Sequence, residues 1–503
     1  MAEITPTLLS VGPPRLLSGL DRVARVDRVT HLTVHGSQPD LRADELVDLA
    51  ENIGLRGRGG AGFPFARKVQ AVMDSARRRG TGTAVVVNGS EGEPSCLKDT
   101  ALLLHTPHLV LDGASLAARA LGAAEVWLGV TRGDVEQSLR SAIAERGPAA
   151  PALKVARLPE RFVTGEGSAL ISGISQAPAL PSGRRVRSSD SGLGGLPTLL
   201  SNTETYAQLS VAARLGALDY RSTGLPDDPG TTLLTVAGNR VVETPTGVPL
   251  SYVLQVCGTG PGQGVLIGGY HGGWLTADAA SSVLVSRESI AKAGASLGAG
   301  AVIPIPLTTC PAGEAVRVAR WMADESAGQC GPCFIGLPGL ADDLEKVVRG
   351  GGPGALEAVR RRMDAVARRG ACSHPDGTIR FVKTALEVFA AHFSAHALGS
   401  DCGLPVTGVL PVSKEAPPEV KALPSASSPK ALPGRETEPA EKLLVDWTLC
   451  QGHGLCADAA PGVIRLGEDG YPQRAVSAVP PELRTEALRA VRRCPALALR
   501  LQS

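Results

Sequence analysis

Six of the ten cysteines in this 503-residue chain have the spacing of ligands for a metal cluster. They form two groups, each a close pair of thiols with a distant third: a first triad of Cys330, Cys333 and Cys372, and a second triad of Cys450, Cys456 and Cys494. Iron–sulfur clusters are held by thiolates grouped on a loop together with a closing thiolate, often followed by proline as Cys494 is here. The spacing therefore predicts two candidate iron–sulfur sites.

A glycine loop far upstream offers a different chemistry. Residues 57–64 read Gly-Arg-Gly-Gly-Ala-Gly-Phe-Pro. Because Gly57, Gly59 and Gly60 have no side chains, a flavin or a pyrophosphate can approach the backbone N–H groups closely. A nucleotide-type site and two candidate clusters in one chain predict a protein that conducts electrons.

The elements that must position these residues begin with alternating strands and helices, from about residue 46 to 215. Residues 83–88 and 126–130 are short apolar runs typical of buried strands, and residues 108–123 have a helical pattern. The order strand, helix, strand predicts parallel pairing and an α/β layer.

The pattern changes after residue 231. Residues 232–244 predict a β-hairpin with the two-residue turn Gly238-Asn239, followed by a helix at 250–256 and a strand at 265–267. Residues 313–398 predict four amphipathic helices in a bundle, with Cys330 and Cys333 between the first two and Cys372 between the last two.

Five motifs appear in a fixed order along the chain. They are residues 54–64 with Lys68, Asn-Gly-Ser-Glu-Gly-Glu-Pro at 88–94, Phe-Val-Thr-Gly-Glu at 162–166, Asn-Thr-Glu-Thr at 202–205, and Ser-Ala-Gly-Gln-Cys-Gly-Pro-Cys at 326–333. Over roughly residues 45–400 the series resembles the NADH- and FMN-binding flavoprotein subunit of respiratory complex I and its hydrogenase and dehydrogenase relatives.

The resemblance implies an α/β multidomain fold with a Rossmann-like FMN domain, a β-grasp module and a four-helix cluster domain, joined to a C-terminal α+β ferredoxin domain. The expected divisions are an N-terminal segment at 1–45, the FMN and NAD(P)H domain at 46–225, the β-grasp module and its connection at 226–300, the helical bundle at 301–402, a Pro- and Ala-rich linker at 403–440 and the ferredoxin domain at 441–503.

The resemblance also implies the residues of the cofactor site. Ser90 stands where the family has an aspartate, so that flavin contact is altered, and Phe63 and Glu93 would face the dinucleotide. The FMN and nicotinamide sites would be lined by the glycine loop and by Arg58, Lys68, Asn88, Glu91, Gly165, Glu166, Asn202 and Thr205.

The last 63 residues, 441–503, resemble the small ferredoxins that serve haem monooxygenases. His453 occupies the variable position between the first two cysteines. The resemblance implies a cluster held by the second triad, either 3Fe-4S or 4Fe-4S with His453 as the remaining ligand.

The first triad departs from the family, because Ala327 replaces a cysteine and a methyl group cannot bind iron. Three alternatives stay open. A cluster persists with a substitute ligand such as Cys402, His374, a carboxylate or water; a three-iron cluster forms; or the cluster is lost. The other cysteines, Cys96, Cys257, Cys310 and Cys402, are interpreted as small buried hydrophobic residues.

The nucleotide side departs as well. Gly167 replaces a family carboxylate near the ribose, and Arg184, Arg185 and Arg187 add positive charge in the segment expected near the adenosine. These changes favour a 2′-phosphate, so that either NADH or NADPH is a candidate substrate, unless the arginines lie on a solvated loop.

Composition limits the remaining choices. The net charge of +2 gives no case for nucleic acid, and the start of the chain lacks the pattern of a signal peptide. No run of about 18 apolar residues predicts membrane insertion, and ten cysteines favour a reducing, cytoplasmic compartment.

The expected function is that of a flavin-dependent NAD(P)H:ferredoxin oxidoreductase with its ferredoxin fused in cis. Hydride would pass to FMN, and single electrons would pass on to the clusters, so we assign no catalytic acid or base. The acceptor would be a haem monooxygenase or another redox protein. The alternatives are a diaphorase subunit of a larger assembly, with a homo-oligomer or a redox subunit as partner, and an electron carrier or scaffold with a decayed flavin site.

Overall fold

The computed structural model describes residues 5–148, 151–182, 186–400, 402–412, 441–450, 452, 454–467, 470–494 and 498–502. The fold is mixed α/β with a parallel sheet, as predicted. Within these ranges, no helix is both long and apolar enough to cross a bilayer.

The parallel sheet forms the centre of the first region. Its strands lie in the order Ala152–Arg157, Glu125–Val130, Ala84–Gly89 and Thr198–Asn202, and every pairing is parallel. Val85 and Val87 face one core, whereas Val86 faces the other, because successive side chains of a strand alternate between faces. Helices cover the sheet: Ala43–Asn52, Phe65–Arg79, Lys98–His105, Pro107–Leu121, Gly133–Arg146, Gly167–Ile174 and Thr203–Arg221.

A second, mixed sheet has six strands among the described residues and is larger than predicted. Its order is Thr7–Ser10, Arg240–Pro245, Thr231–Val236, Ala301–Pro304, Gly264–Ile267 and Gly273–Thr276. The first and fourth of these strands lie outside the predicted range of 226–300. The hairpin turn has three residues rather than two, since Val236 pairs directly with Arg240. Short helices pack beside this sheet at Leu250–Val256, Ala277–Ser282 and Arg287–Lys292.

The N-terminal segment, for which no element was predicted, is tied into the second sheet. Thr7–Ser10 pairs in parallel with residues 240–243. The buried carboxylate of Glu243 accepts hydrogen bonds from the backbone N–H groups of Arg15, Leu16 and Leu17 at 2.9–3.0 Å. A helix, Arg28–His35, follows in the same segment.

The helical domain has five α-helices rather than four within residues 311–400, all of which the structure describes. The last predicted helix is divided at Phe389, whose φ of −106° and ψ of 30° end the first part. The helices are Pro311–Asp324, Leu337–Val348, Pro353–Val366, His374–Val388 and Ala390–Ala397, and a π-helical turn, Pro332–Gly336, precedes the second. The cysteines of the first triad lie in the predicted connections.

Residues 402–412, the docked tail, are packed against the helical domain, so the predicted linker begins too early. Leu410 is fully buried in the helical core. The carboxylate of Glu314 accepts hydrogen bonds from the backbone N–H groups of Gly408, Val409 and Leu410. Residues 413–440, the rest of the predicted linker, lie outside the described residues.

The C-terminal region has its own small core. Its described strands are antiparallel and lie in the order Val476–Val479, Glu441–Val445 and Leu499–Gln502. Helices Leu455–Ala459 and Arg484–Arg493 pack on this sheet. The three thiols of the second triad lie beside the same core.

Candidate functional site

The glycine loop makes a tight turn with open space on one side. The backbone N–H of Gly57 donates to the carbonyl oxygen of Phe63 at 2.9 Å and closes the turn. Gly60 has a φ of +116°, which L side chains rarely adopt, and a Cβ there would meet nothing within 4 Å. A Cβ at Gly59 would lie 3.1 Å from the Cβ of Asn202, so only glycine fits without a shift.

Arg58 is the buried cation of this loop. Its backbone N–H donates to Thr205 Oγ1 at 3.0 Å, and its Nε lies 4.0 Å from Glu204 Oε1. Among the described residues, neither Nε nor Nη1 of this arginine has a hydrogen-bond partner. Buried guanidinium nitrogens require acceptors, so the site fits an anionic or carbonyl-bearing ligand.

A lysine-centred network fixes the neighbouring residues. Lys98 Nζ donates to Asp99 at 2.7 Å and to Asn202 Oδ1 at 3.1 Å, and it lies 3.2 Å from Glu204. Asn202 also caps the helix Thr203–Arg221 by accepting from the N–H of Glu204. The more distant Lys68 donates to the carbonyl oxygen of Leu200 at 3.1 Å, and burial lowers its pKa.

Asn88 and Ser90 follow the central strand. Asn88 Nδ2 donates to the carbonyl oxygen of Gly165 at 2.9 Å, and its Oδ1 accepts from the N–H of Ser90. Within the part of the chain that the structure describes, the buried Ser90 Oγ has no partner. A donor left free beside Asn88 and Gly165 suits a polar group of a bound cofactor.

Three predicted carboxylates accept hydrogen bonds within the chain. Glu91 accepts from the N–H groups of Asp99 and Thr100 at 3.0 and 2.8 Å, and Glu166 caps the helix Gly167–Ile174. Glu93 accepts from the N–H of Tyr270 at 2.8 Å, and burial raises its pKa to about 7. Each carboxylate therefore orders a helix start or a loop at the site.

Arg287 belongs to the second sheet region, and no sequence motif pointed to it. Its Nη2 donates to the carbonyl oxygen of Gly57 at 3.0 Å. Burial, followed by the nearby charge of Arg58, lowers the pKa of Arg287 to about 10. Arg287 lies 230 residues after Gly57 in the sequence, so no local sequence pattern could have predicted this contact.

On the nucleotide side, Gly167 stands where the family has a carboxylate, and its neighbour is a leucine side chain. A Cβ at Gly167 would lie 2.7 Å from Leu200 Cδ2, so a larger residue there would require the end of the Leu200 side chain to move. Phe63 is exposed and available to face a ligand, and Arg187 is exposed too. Arg184 and Arg185 lie outside the described residues.

The first triad lies between helices, with Cys330 and Cys333 buried and Cys372 half-buried. Cys330 Sγ lies 3.6 Å from Cys333 Sγ, and hydrogen bonding from the Cys333 thiol lowers the pKa of Cys330 while the pKa of Cys333 is raised. Burial raises the pKa of Cys372 to about 11, and the charges of Glu166 and Cys330 contribute to this shift. The Cys330 and Cys333 thiols are therefore adjacent, and Cys372 lies close enough for its charge to affect the pKa of Cys333.

Two substitute ligands predicted for the first triad are engaged elsewhere. His374 Nδ1 lies 3.0 Å from His271 Nε2, and its Nε2 lies 2.8 Å from the carbonyl oxygen of Met322. Cys402 lies beside Cys310 and His396. The structure thus removes these two residues from the candidates and leaves a carboxylate or water.

A bridging segment, residues 161–166, joins the flavin side to the first triad. Arg161 Nη2 donates to the carbonyl oxygen of Ser326 at 3.0 Å, and the N–H of Phe162 donates to Glu325 Oε2 at 2.9 Å. At its other end, Gly165 accepts from Asn88. The segment therefore contacts Asn88 on the flavin side and residues 325–326, which lie four to five residues before Cys330.

The thiols of the second triad pack against one small core. Burial, and then the neighbouring thiolates of Cys450 and Cys494, raise the pKa of Cys456. The N–H of Ala498 donates to Cys494 Sγ at 3.3 Å. His453, the predicted fourth ligand, lies outside the described residues.

The loops of the two triads meet. A Cβ added to Gly331, between Cys330 and Cys333, would lie 2.8 Å from Thr448 Cγ2 and 3.1 Å from the backbone nitrogen of Thr448. Thr448 is two residues from Cys450. Because Gly331 has no side chain, the loop of the first triad can come into close contact with the C-terminal region at Thr448.

Comparison with known proteins agrees with this geometry. Residues 50–211 match the Nuo51 FMN-binding domain, residues 314–396 match the iron–sulfur binding region of NADH-ubiquinone oxidoreductase-F, and residues 443–501 match a 4Fe-4S single cluster domain. The second F-type chain of the NADH-quinone oxidoreductase of Rhizobium meliloti is 28% identical over 377 residues, which is 70% of this chain and 89% of the relative. The F-type chain of the Mycobacterium tuberculosis NADH-quinone oxidoreductase is 29% identical over 393 residues, covering 71% and 86%.

The chain resembles the F-type chains of NADH-quinone oxidoreductases. The likeness extends to a solved structure, the NAD+-reducing [NiFe]-hydrogenase in its H2-reduced state. The TM-score is 0.67 and the identity is 28%, over 78% of this chain and 68% of the other. Flavin-binding and iron–sulfur-binding regions thus occur together here, as the motifs indicated.

Proposed function

We propose that this chain is a flavin-dependent NAD(P)H dehydrogenase that passes electrons through the first triad to a cluster in a fused ferredoxin domain. The domain assignments extend the proposal: a Rossmann-like flavin domain, a β-grasp module around the second sheet, a helical cluster domain and a ferredoxin domain. The relatives named above belong to NADH-quinone oxidoreductases. We also propose a cytoplasmic location, because cluster ligands need reduced thiols.

One observation carries the proposal: the candidate sites are joined by direct contacts. The glycine loop contacts Asn202, the bridging segment contacts both Asn88 and Ser326, and Gly331 contacts Thr448. Bound flavin would supply the conversion of a two-electron donor into one-electron steps. The chain's part is to bind, to orient and to keep successive sites close.

The residues have distinct proposed roles. Arg58 and Ser90 offer unpartnered polar atoms to FMN, as judged within the described residues, and Arg287 braces the glycine loop from the second sheet region. Phe63 and Glu93 face the dinucleotide. The remaining residues position these groups: Lys68, Asn88, Glu91, Gly165, Glu166, Asn202 and Thr205.

A matched pair of glycine variants tests the flavin site. In Gly59→Leu the new side chain starts 3.1 Å from Asn202, whereas a Cβ at Gly82 meets nothing within 4 Å. We expect purified Gly59→Leu to contain no FMN, and Gly82→Leu to contain one FMN per chain, with equal iron in both. Equal FMN in the two variants would place the flavin elsewhere.

A second candidate function is that of a diaphorase subunit within a larger assembly. The likeness to the NAD+-reducing hydrogenase favours it, and so do the exposed side chains of Phe334 and Ile335 beside Cys333. Purification from the native source tests it. A redox subunit that co-purifies in a fixed ratio supports the assembly, and an isolated chain that reduces a soluble acceptor supports the fused enzyme.

A further inference from the structure

Cys310, His396 and Cys402 form a cluster of metal-binding side chains outside the two triads. Their ligand atoms all lie within 4.8 Å of one another, and Cys310 Sγ is 3.3 Å from His396 Nε2. Cys310 and His396 are buried, and Cys402 is half-buried. The two cysteines pack in or against the helical core, as predicted for small hydrophobic residues, and the cluster adds metal-binding chemistry to that interpretation.

Three separate elements bring these side chains together. Cys310 precedes the helix Pro311–Asp324, His396 lies in the last turn of Ala390–Ala397, and Cys402 begins the docked tail. The tail is fixed here by Pro405, whose carbonyl oxygen accepts from the N–H of Cys310 at 2.9 Å. The convergence is therefore part of the fold.

The chemistry of the cluster selects a soft divalent cation. Tetrahedral zinc has bonds of about 2.3 Å to sulfur and about 2.0–2.1 Å to nitrogen, which places ligand atoms roughly 3.5–3.8 Å apart. The spacing of this cluster needs only small adjustments to match. Two thiolates and an imidazole disfavour magnesium and calcium, and two thiolate charges neutralise a divalent ion in a buried site.

We propose that Cys310, His396 and Cys402 bind one Zn²⁺, with a fourth position left for water. Binding releases the two thiol protons to solvent, and no electron is transferred. The N–H of Gly313 donates to Cys310 Sγ at 3.3 Å and orients that sulfur. The ion joins the docked tail to the first and last helices of the helical domain, and this role is independent of the proposed dehydrogenase function.

Metal analysis of the full-length protein, purified from zinc-supplemented medium, tests the proposal. We expect about one zinc per chain in the wild type, and almost none in His396→Gln and Cys402→Ser. Cys257→Ala is the matched control, because Cys257 is a buried cysteine in another core. Its zinc should equal that of the wild type, and iron should be equal in all four proteins.

X-ray absorption at the zinc edge of the wild type supplies a readout that needs no variant. Two sulfur neighbours at about 2.3 Å and one nitrogen at about 2.0–2.1 Å support the site, since iron clusters do not contribute at that edge. Three results would each overturn the proposal: a wild type without zinc, zinc that persists in both variants, or a Cys310–Cys402 disulfide in freshly purified protein.

Discussion

The two cysteine triads offer the same kind of ligand, a thiol, but differ in how deeply those thiols are buried. In the first, Cys330 and Cys333 are only 5% and 4% exposed, whereas Cys372 is half-buried. In the second, all three cysteines are half-buried on a domain of 63 residues. Solvent exposure is one of the factors that set the potential of an iron–sulfur cluster.

This difference indicates two roles in one electron path. The more deeply buried site has neighbours inside the protein with which to exchange electrons, namely the bridging segment and Gly331. A half-exposed site can also meet an external acceptor. We therefore interpret the first triad as an internal relay and the second as the exit.

The largest expected effect comes from removing the exit. Cys494→Ser should lose the second cluster, with about three or four iron atoms fewer per chain. Reduction of an external one-electron acceptor by NADH should fall to background, while NADH still bleaches the flavin. Iron analysis and stopped-flow absorption measure both effects. Cys257→Ala is the control. If Cys494→Ser still reduced the external acceptor at the wild-type rate, the second triad would not be the exit.

An intermediate effect should come from restoring the family's cysteine in the relay. Ala327 is buried near the first triad, so Ala327→Cys offers a further thiolate where the wild type has a methyl group. We expect about one more iron atom per chain and loss of any oxidised three-iron paramagnetic signal from this triad.

Ala327→Ser is the matched control for the relay, because it adds an oxygen of similar size without a thiolate. Electron paramagnetic resonance in the Cys494→Ser background isolates the first triad. Identical spectra and equal iron with alanine, serine and cysteine at position 327 would show that this position does not face a cluster.

The smallest effect should come from the contact between the triads. Thr448→Arg places a long charged side chain against Gly331, and a loss of about 1.4 kcal/mol in docking would lower the docking equilibrium constant about tenfold. Reduction of the second cluster should slow accordingly, with flavin reduction unchanged. Thr448→Ser is the control, since it keeps the hydroxyl that bonds to Asp446 at 2.5 Å. Equal rates in both variants would mean that the contact does not carry electrons.

Local patterns predicted the elements that carry the cofactors. The strand 84–89 and the helix 250–256 follow from short apolar runs, and the cysteine loops follow from helical spacing on either side. The division at Phe389 was missed because its apolar spacing continues through the break. Periodicity records which face is buried, and it does not record where the backbone turns.

Contacts between distant segments could not be predicted. Arg287, His396 and Cys402 have no motif around them, and their partners are far away in sequence. Gly167 was interpreted as a lost charge, and the structure adds that a larger side chain there would have to displace the end of Leu200. A substitution to glutamate there would disturb packing as well as charge, so it cannot isolate nucleotide preference.

The first strand of the chain has a consequence for synthesis on the ribosome. Thr7–Ser10 pairs with residues 240–243, and Glu243 receives the N–H groups of residues 15–17. At about 5–20 residues per second, the partner strand follows roughly 10 to 50 s later. During that interval Thr7–Ser10 has no strand partner, so this segment can take its place in the sheet only after the chain has reached residue 243.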